Sequence, residues 1–236
     1  MIRAVCFDVD FTLIYPGPIF EGEGYQRFCE RHGLSVDAAA FGDAVLAASV
    51  VLDERQDHAF DAQVFIDYVR RVIEHMGGAG AGIEACAREI YDAWAANQHF
   101  TLYEDVAPVL TSLARSGFRL GLISNTHRCL SSFQEHFDLD GLIMAALSSS
   151  EHGYNKPHPS IFRTALGLLQ VAPEEAVMVG DNIRQDIEGA IGVGMRAVLV
   201  CRSGTRKDPN PDCEALGRAL REVPVIRSLT ELPALL

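Results

Sequence analysis

The hydrophobic pattern of this chain changes character three times. Residues 2–7 are mostly apolar and β-prone, with Ile2, Val5 and Phe7 and no polar alternation. Such a run predicts a short strand buried on both faces, as in the middle of a parallel sheet. Residues 14–18 (Ile-Tyr-Pro-Gly-Pro) then exclude regular helix or a central strand. From about 20 to 97 only helical spacing occurs. Tyr25, Phe28, Cys29 and His32 mark one helix stopped by Gly33, and Val45, Leu46, Ser49, Val50 and Asp53 a second. A third carries Val64, Ile66, Tyr68, Val69, Val72, Ile73 and Met76 up to Gly77, and a fourth Ile83, Cys86, Ile90, Tyr91 and Trp94. The glycine tract 77–82 follows no strand and precedes no Gly-Lys-Ser/Thr, so it reads as a helix connection, not a phosphate loop.

Near residue 104 the pattern changes again. Val106, Val109, Leu110 and Leu113 form an amphipathic helix closed by Gly117, and residues 118–123 a strand ending in Ser124-Asn125-Thr126. A strand over 142–147 and a loop over 148–156 follow. The segment 157–170 opens with prolines and carries Ile161, Phe162, Ala165, Leu166 and Leu169 on one helix face. Residues 176–179 are a strand running into Gly180-Asp181-Asn182, residues 183–193 a helix and 197–201 a strand. Strands alternating with helices imply right-handed crossovers and a parallel sheet. The first strand is thus separated from its sheet by a helical insertion at about 15–100, hinged at 14–18 and 99–105 and expected above the C-terminal edge of the sheet, over Asp8. Residues 203–214 read as a surface loop, and the tail as a short amphipathic piece.

Composition narrows the functional classes. The 236 residues suit one α/β domain with an insertion, and 48% hydrophobic with 22% charged residues is ordinary for a soluble protein. A formal net charge of −12 argues against nucleic-acid or anionic-membrane partners, and means that handling an anionic substrate needs a local cation. The most apolar stretch, 44–52, is too short to span a bilayer, and Asp8 interrupts any leader pattern, so a cytoplasmic location is expected. The six cysteines, 6, 29, 86, 129, 201 and 213, are scattered and read as small core hydrophobes in a reducing compartment.

Four polar groups fall at or just beyond the C-terminal ends of strands, where open α/β sheets bind ligands: Asp8/Asp10/Thr12, Ser124/Asn125, Lys156, and Asp181/Asp186. Asp8 and Asp10, two apart, share a face in a straight strand; where the strand bends into a loop they can divide roles, one by side chain and one by backbone. Each cluster alone is commonplace, as turn formers or caps; their recurrence on one sheet edge is not. Lys156 stands out because the chain has two lysines against eighteen arginines. A compact ammonium serves as a point charge where a guanidinium fork does not.

In these motifs the chain resembles the haloacid dehalogenase-like hydrolase superfamily, in its phosphatase branch with a helical cap inserted after the first motif. The motifs are Asp8-Val9-Asp10-Phe11-Thr12-Leu13, Ser124-Asn125, Lys156-Pro157 and Gly180-Asp181-Asn182-Ile183-Arg184-Gln185-Asp186. Phe11 departs from the family's usual Gly, which is expected to alter the local loop and not the chemistry. The resemblance implies a Rossmann-like parallel-sheet core (1–14 and 101–236) with an inserted all-helical cap domain (15–100). It further implies a phosphatase acting on a small phosphorylated metabolite, as a monomer or homodimer. Asp8 would be the nucleophile and Asp10 the acid and base. Thr12, Ser124 and Asn125 would belong to the substrate-binding set, with the hydroxyls of Thr12 and Ser124 on the phosphoryl oxygens. Lys156 would hold Asp8 ionised and screen the phosphate. Asp8, Asp181 and the Asp10 carbonyl would hold Mg²⁺, with Asp186 orienting its waters or pairing with Lys156. Four carboxylates cannot converge, ionised, on a dianionic substrate without a divalent cation.

Rival readings remain. A hydrolytic 2-haloacid dehalogenase needs neither metal nor second acid, and in this family lacks an acid at the position of Asp10 and departs from Gly180-Asp181. A phosphomutase needs a cap group for proton transfer, for which Arg55 and His58 are candidates. A non-catalytic binding protein on the same fold is the third. Arg55, Gln56, His58, His127 and Arg128 are candidates for lining the substrate side.

Overall fold

In the computed structural model, which describes residues 1–53, 57–202 and 223–236, the first apolar run forms β1 (Ala4–Phe7), with all four residues buried. It lies inside a six-stranded sheet whose paired strands are all parallel. The neighbours of β1 are β4 (Arg119–Ser124) and β6 (Ala176–Gly180). Beyond β4 lies β5 (Ile143–Ser148); beyond β6 lie β7 (Arg196–Val200) and then β8 (Val225–Ile226), giving the order β5-β4-β1-β6-β7-β8. Along β1, Ala4 and Cys6 point into a core lined by Ile161, Phe162, Ala165, Leu166 and Leu169. Val5 and Phe7 point the other way and are also fully buried. A strand covered on both faces has no reason to alternate, which is why its sequence reads as one apolar run.

The chain divides into two compact units, Met1–Tyr15 with Leu102–Leu236, and Pro16–Thr101. The second is helical: α1 (Gly22–Arg31), α2 (Phe41–Ala48), α3 (Ala62–His75) and α4 (Ile83–Trp94), with α2 and α4 packed on α3 and α1 on α4. This is the inserted helical cap expected from the sequence. In α2 the packed face differs from the sequence reading. Within α2, Ala44 and Ala48 are buried and Leu46 is exposed, and the predicted helix gives way after Ala48 to a 3-10 turn, Ser49–Asp53, that leaves Val50 exposed. The links to the sheet unit are two three-residue strands, β2 (Ile14–Pro16) and β3 (Phe100–Leu102), which form a separate two-stranded sheet.

In the sheet unit, α5 (Val106–Arg115) packs on β4 and buries Val106, Val109, Leu110 and Leu113. Helix α6 (Leu130–His136) occupies a stretch for which the sequence predicts no element, and α7 (Ser149–His152) forms one turn within the expected loop. Helix α8 (Pro159–Leu169) covers β4 and β5. The helix predicted over 183–193 starts as a widened π turn (Ile183–Glu188) before α9 (Gly189–Gly192). Among the described residues no helix is long and apolar enough to cross a membrane. Cys6, Cys29 and Cys86 are buried free thiols, as expected; Cys129 is exposed and Cys201 is disulfide-bonded, which corrects the uniform core reading. The expected loop 203–214, with Cys213, lies outside the described residues.

Candidate active site

Phe7 is in register with Leu122 of β4 and Val179 of β6. Asp8 therefore leaves the sheet beside the ends of both neighbours, its N–H still donating to the Val179 carbonyl at 2.9 Å. The next residues fold back tightly. Leu13 and Ile14 N–H both donate to the Val9 carbonyl (2.8 and 3.1 Å), and Phe11 N–H to Ile14 (2.7 Å). This turn puts Phe11 at φ 62°, a left-handed conformation that glycine adopts without steric cost. Thr12 is fully buried, and its hydroxyl donates to Asp181 Oδ1 at 3.3 Å. The Thr12 carbonyl accepts from Arg202 Nε and Nη2 at 3.2 and 2.7 Å. Arg202 in turn binds Asp105 at 2.6 Å and stacks over Tyr103, so the end of β7 anchors the loop that follows β1.

Lys156 is 2% exposed. Its Nζ donates to Asp8 Oδ1 at 2.5 Å and to Asp186 Oδ1 at 2.6 Å. Asn125 fixes the backbone from which it reaches: Asn125 Oδ1 accepts from Lys156 N–H at 2.6 Å, and Nδ2 donates to the Lys156 carbonyl and Gln185 Oε1, each at 3.0 Å. The π turn sets Asp186. The Asn182 carbonyl accepts from both Asp186 and Ile187 N–H (2.8 and 3.3 Å), while Asp186 Oδ2 accepts from Asn182 N–H at 3.0 Å. A side chain at Gly180 would collide with the Asp186 carboxylate, so a residue without Cβ is needed there.

Asp8, Asp181 and Asp186 each offer a carboxylate oxygen within 4.8 Å of the others. Burial pushes Asp8 up to about 6, against the opposing pull of Lys156. Burial, then the charges of Asp8 and Asp186, raise Asp181 well above the ordinary carboxylate range. Burial works against the Lys156 ammonium, but Asp186 and Asp8 outweigh it and raise its pKa. Carboxylates that resist ionising together, on hard oxygen donors, are positioned to coordinate a divalent cation.

The structure thus brings together Asp8, Thr12, Lys156, Asp181 and Asp186. Ser124 sits buried at the end of β4. Asn125, placed by the sequence on the substrate side, spends its amide on Lys156 and Gln185. The Asp10 carboxylate lies outside the acidic trio, 16% exposed, and faces Arg128. Arg128, a candidate for lining the substrate side, is buried. His127 is half-buried; His58 is half-buried in the helical unit, and Arg55 and Gln56 lie outside the described residues. No local pattern marks the supporting roles of Gln185 and Arg202, whose partners are remote in the chain.

Residues 2–194 match the family described as haloacid dehalogenase-like hydrolase. The chain belongs to this family. It is similar to N-acylneuraminate-9-phosphatase of Rattus norvegicus, 32% identical over 255 residues, spanning 100% of this chain and 94% of that protein. It is also similar to phosphoserine phosphatase of Thermus thermophilus, 36% identical over 162 residues, with 65% and 61% of the two chains covered. Among solved structures it resembles the 2-haloacid dehalogenase of Pseudomonas syringae (TM-score 0.62, 26% identity, covering 99% and 97% of the chains). As a family member with this aspartate cluster, the chain is an enzyme, a hydrolase.

Two expectations follow from the site as built. Asp8 holds its proton more tightly folded, near pH 6, than at its ordinary 3.8. Its contribution is therefore favourable below that lower value and is lost as pH rises through about 6. In EDTA, unfolding free energy should fall by about 1 kcal/mol from this group between pH 5 and 7, with Asp181 acting in the same direction. A saturating divalent cation should flatten that slope; calorimetry across pH with and without the cation measures it. Asn125→Ala frees the backbone of Lys156 and should lower kcat roughly 10- to 100-fold with a smaller change in KM, as read by steady-state kinetics.

Proposed function

We propose that the protein is a Mg²⁺-dependent phosphatase that hydrolyses the phosphate monoester of a small metabolite through an aspartyl-phosphate on Asp8. The observation that carries this reading is the meeting of Asp8, Lys156 and Asp181, from three separate segments, in one buried cluster. A carboxylate of Asp8 attacks phosphorus, forming an O–P bond as the bond to the alcohol oxygen breaks. Asp10 gives its proton to the departing alkoxide. It then takes one from the water that attacks the acyl-phosphate, which restores Asp8 and releases phosphate. Lys156 keeps Asp8 anionic until attack, and the hydroxyls of Thr12 and Ser124 would bind phosphoryl oxygens. Mg²⁺ would be held by Asp8, Asp181 and the Asp10 carbonyl, and when bound supplies charge neutralisation at the transferring group. Asp186, with one oxygen on Lys156 and the other on Asn182, fits the role of positioning Lys156.

In this reading Met1–Tyr15 with Leu102–Leu236 is the catalytic core, and the helical unit is the cap that sets specificity. Phosphatase relatives by name, one of them aligned along the whole chain, favour phosphate over halide. So does the presence of both Asp10 and Asp181. The resemblance to a haloacid dehalogenase structure keeps halide release as the competing chemistry. A cytoplasmic site of action is proposed because free thiols predominate among the described cysteines, Cys6, Cys29, Cys86 and Cys129 against the one disulfide-bonded Cys201. The test is a release assay over a panel of sugar-acid, sugar, amino-acid and nucleoside phosphates and phosphoglycolate. It is run in Mg²⁺ or EDTA, with 2-chloropropionate in parallel. Mg²⁺-dependent phosphate release is expected; chloride release in EDTA without phosphate release would replace this reading with the dehalogenase.

A further inference from the structure

Arg128 is among the largest fully buried side chains of the protein, its side chain 0% exposed. Arginine is seldom buried without a charged partner, and here Nη1 donates to Asp10 Oδ1 at 3.0 Å. The backbone beneath it is fixed. Arg128 N–H donates to Thr126 Oγ1 at 3.1 Å, while the Thr126 carbonyl accepts from Ser150 N–H and Ser149 Oγ at 3.2 and 3.4 Å. Immediately afterwards α6 buries Leu130 and Phe133. The two buried cations of the site thus divide its acids. Lys156 bonds Asp8 and Asp186, whereas Arg128 bonds Asp10, the one acid outside the Asp8/Asp181/Asp186 trio.

We infer that Arg128 is a positioning residue for Asp10: by holding Oδ1 it fixes the carboxylate's rotation and reserves Oδ2 for the proton passed to the leaving alcohol and taken from water. The inference rests on the phosphatase reading and deepens it. A carboxylate two residues from Asp8 and free to turn would be drawn toward the acidic cluster's cation, where it would be a ligand and not a proton carrier. A guanidinium anchored in the β4–α6 turn holds it back at a fixed angle. The proton matters in proportion to the basicity of the leaving group. An alkyl ester therefore depends on this positioning, whereas 2,4-dinitrophenolate departs without a proton.

The experiment compares wild type, Arg128→Gln, Arg128→Lys, Asp10→Asn and the Arg128→Gln/Asp10→Asn double variant. Each is assayed in Mg²⁺ by rapid mixing with 2,4-dinitrophenyl phosphate and with the best alkyl phosphate of the panel, and melting temperatures are taken in parallel. Arg128→Gln is expected to slow the single-turnover rate on the alkyl ester roughly 100-fold. Its dinitrophenolate burst rate and the KM values should stay within about threefold of wild type, Arg128→Lys should recover part of the loss, and the double variant should be no slower than Asp10→Asn alone. Equal losses on both esters, losses that multiply in the double variant, or an unaltered alkyl rate would each overturn the assignment. If Arg128→Gln does not fold, Arg128→Lys carries the same two-ester comparison and the same double-variant test. A wild type that releases phosphate from no ester removes the phosphatase reading and this inference with it. An active wild type with uniform losses removes only the role of Arg128.

Discussion

Asp8→Asn is expected to lower phosphate release by more than about 10⁴-fold while leaving the protein folded. The amide keeps the shape of the carboxylate but carries no charge with which to attack phosphorus, so no acyl-phosphate forms and no burst of leaving group precedes steady state. The stability side of the same substitution has a definite sign. Asp8 is a carboxylate whose ionised form is disfavoured by burial and by Asp186, with Lys156 as the compensating partner. Replacing it with a neutral group removes repulsion toward Asp181 and Asp186, and Lys156 keeps its bond to Asp186. In EDTA at neutral pH the variant should therefore melt no lower than wild type, and its melting temperature should respond less to added Mg²⁺. Single-turnover kinetics and calorimetry on the same preparations read both effects. A variant that retains the wild-type rate would remove Asp8 from the nucleophile's place.

How much of this was legible beforehand follows from where each signal is stored. The strands β1, β4, β6 and β7 are visible because burial on both faces leaves a continuous apolar run. Helix α8 is visible because proline opens it and one face is uniformly apolar. The strands β2 and β3 are invisible: three residues carry no period, and a Pro/Gly link with strand pairing reads like one without. The second helix departs from its periodicity, which weights Leu46 and Val50 above Ala44 and Ala48, because α2 buries the small pair and ends before Val50. In the site, Asp8, Lys156, Asp181 and Asp186 could be named because each follows a strand or sits in a motif of fixed spacing. What the sequence could not hold is the choice of partner. An arginine shortly after Ser124-Asn125 looks like a solvated residue until the fold sets Asp10 against it. Likewise the amide of Asn125 turned out to hold Lys156, because a side chain's second contact is decided by segments remote in sequence. Phe11 is the converse case: the family's preference for glycine becomes intelligible once φ is seen to be positive.

Lys156→Met is expected to damage stability and activity together, and the charge balance of the site says why. Asp8, Asp181 and Asp186 bring three negative charges when ionised, of which Lys156 offsets one; the remaining two match one divalent cation. Taking away the ammonium leaves Asp8 and Asp186 buried without their shared partner, a loss on the order of 3 to 5 kcal/mol when no metal is present. Because protonation is the carboxylates' only other relief, the deficit should shrink as pH falls toward 5. Mg²⁺ should recover part of it at neutral pH by supplying positive charge to the same cluster. Activity should not recover with the fold. Without the ammonium, Asp8 is less anionic and the phosphoryl group loses a nearby positive charge, so kcat should remain about 10²- to 10³-fold below wild type even at saturating Mg²⁺. Arginine should substitute poorly, since a planar fork cannot bridge two carboxylates from the point where Nζ now sits. Melting curves across pH in EDTA and in Mg²⁺, set beside kcat, separate the two losses. A Lys156→Met protein as stable as wild type at neutral pH in EDTA would mean that the bridge from Asp8 through Lys156 to Asp186 does not exist in solution.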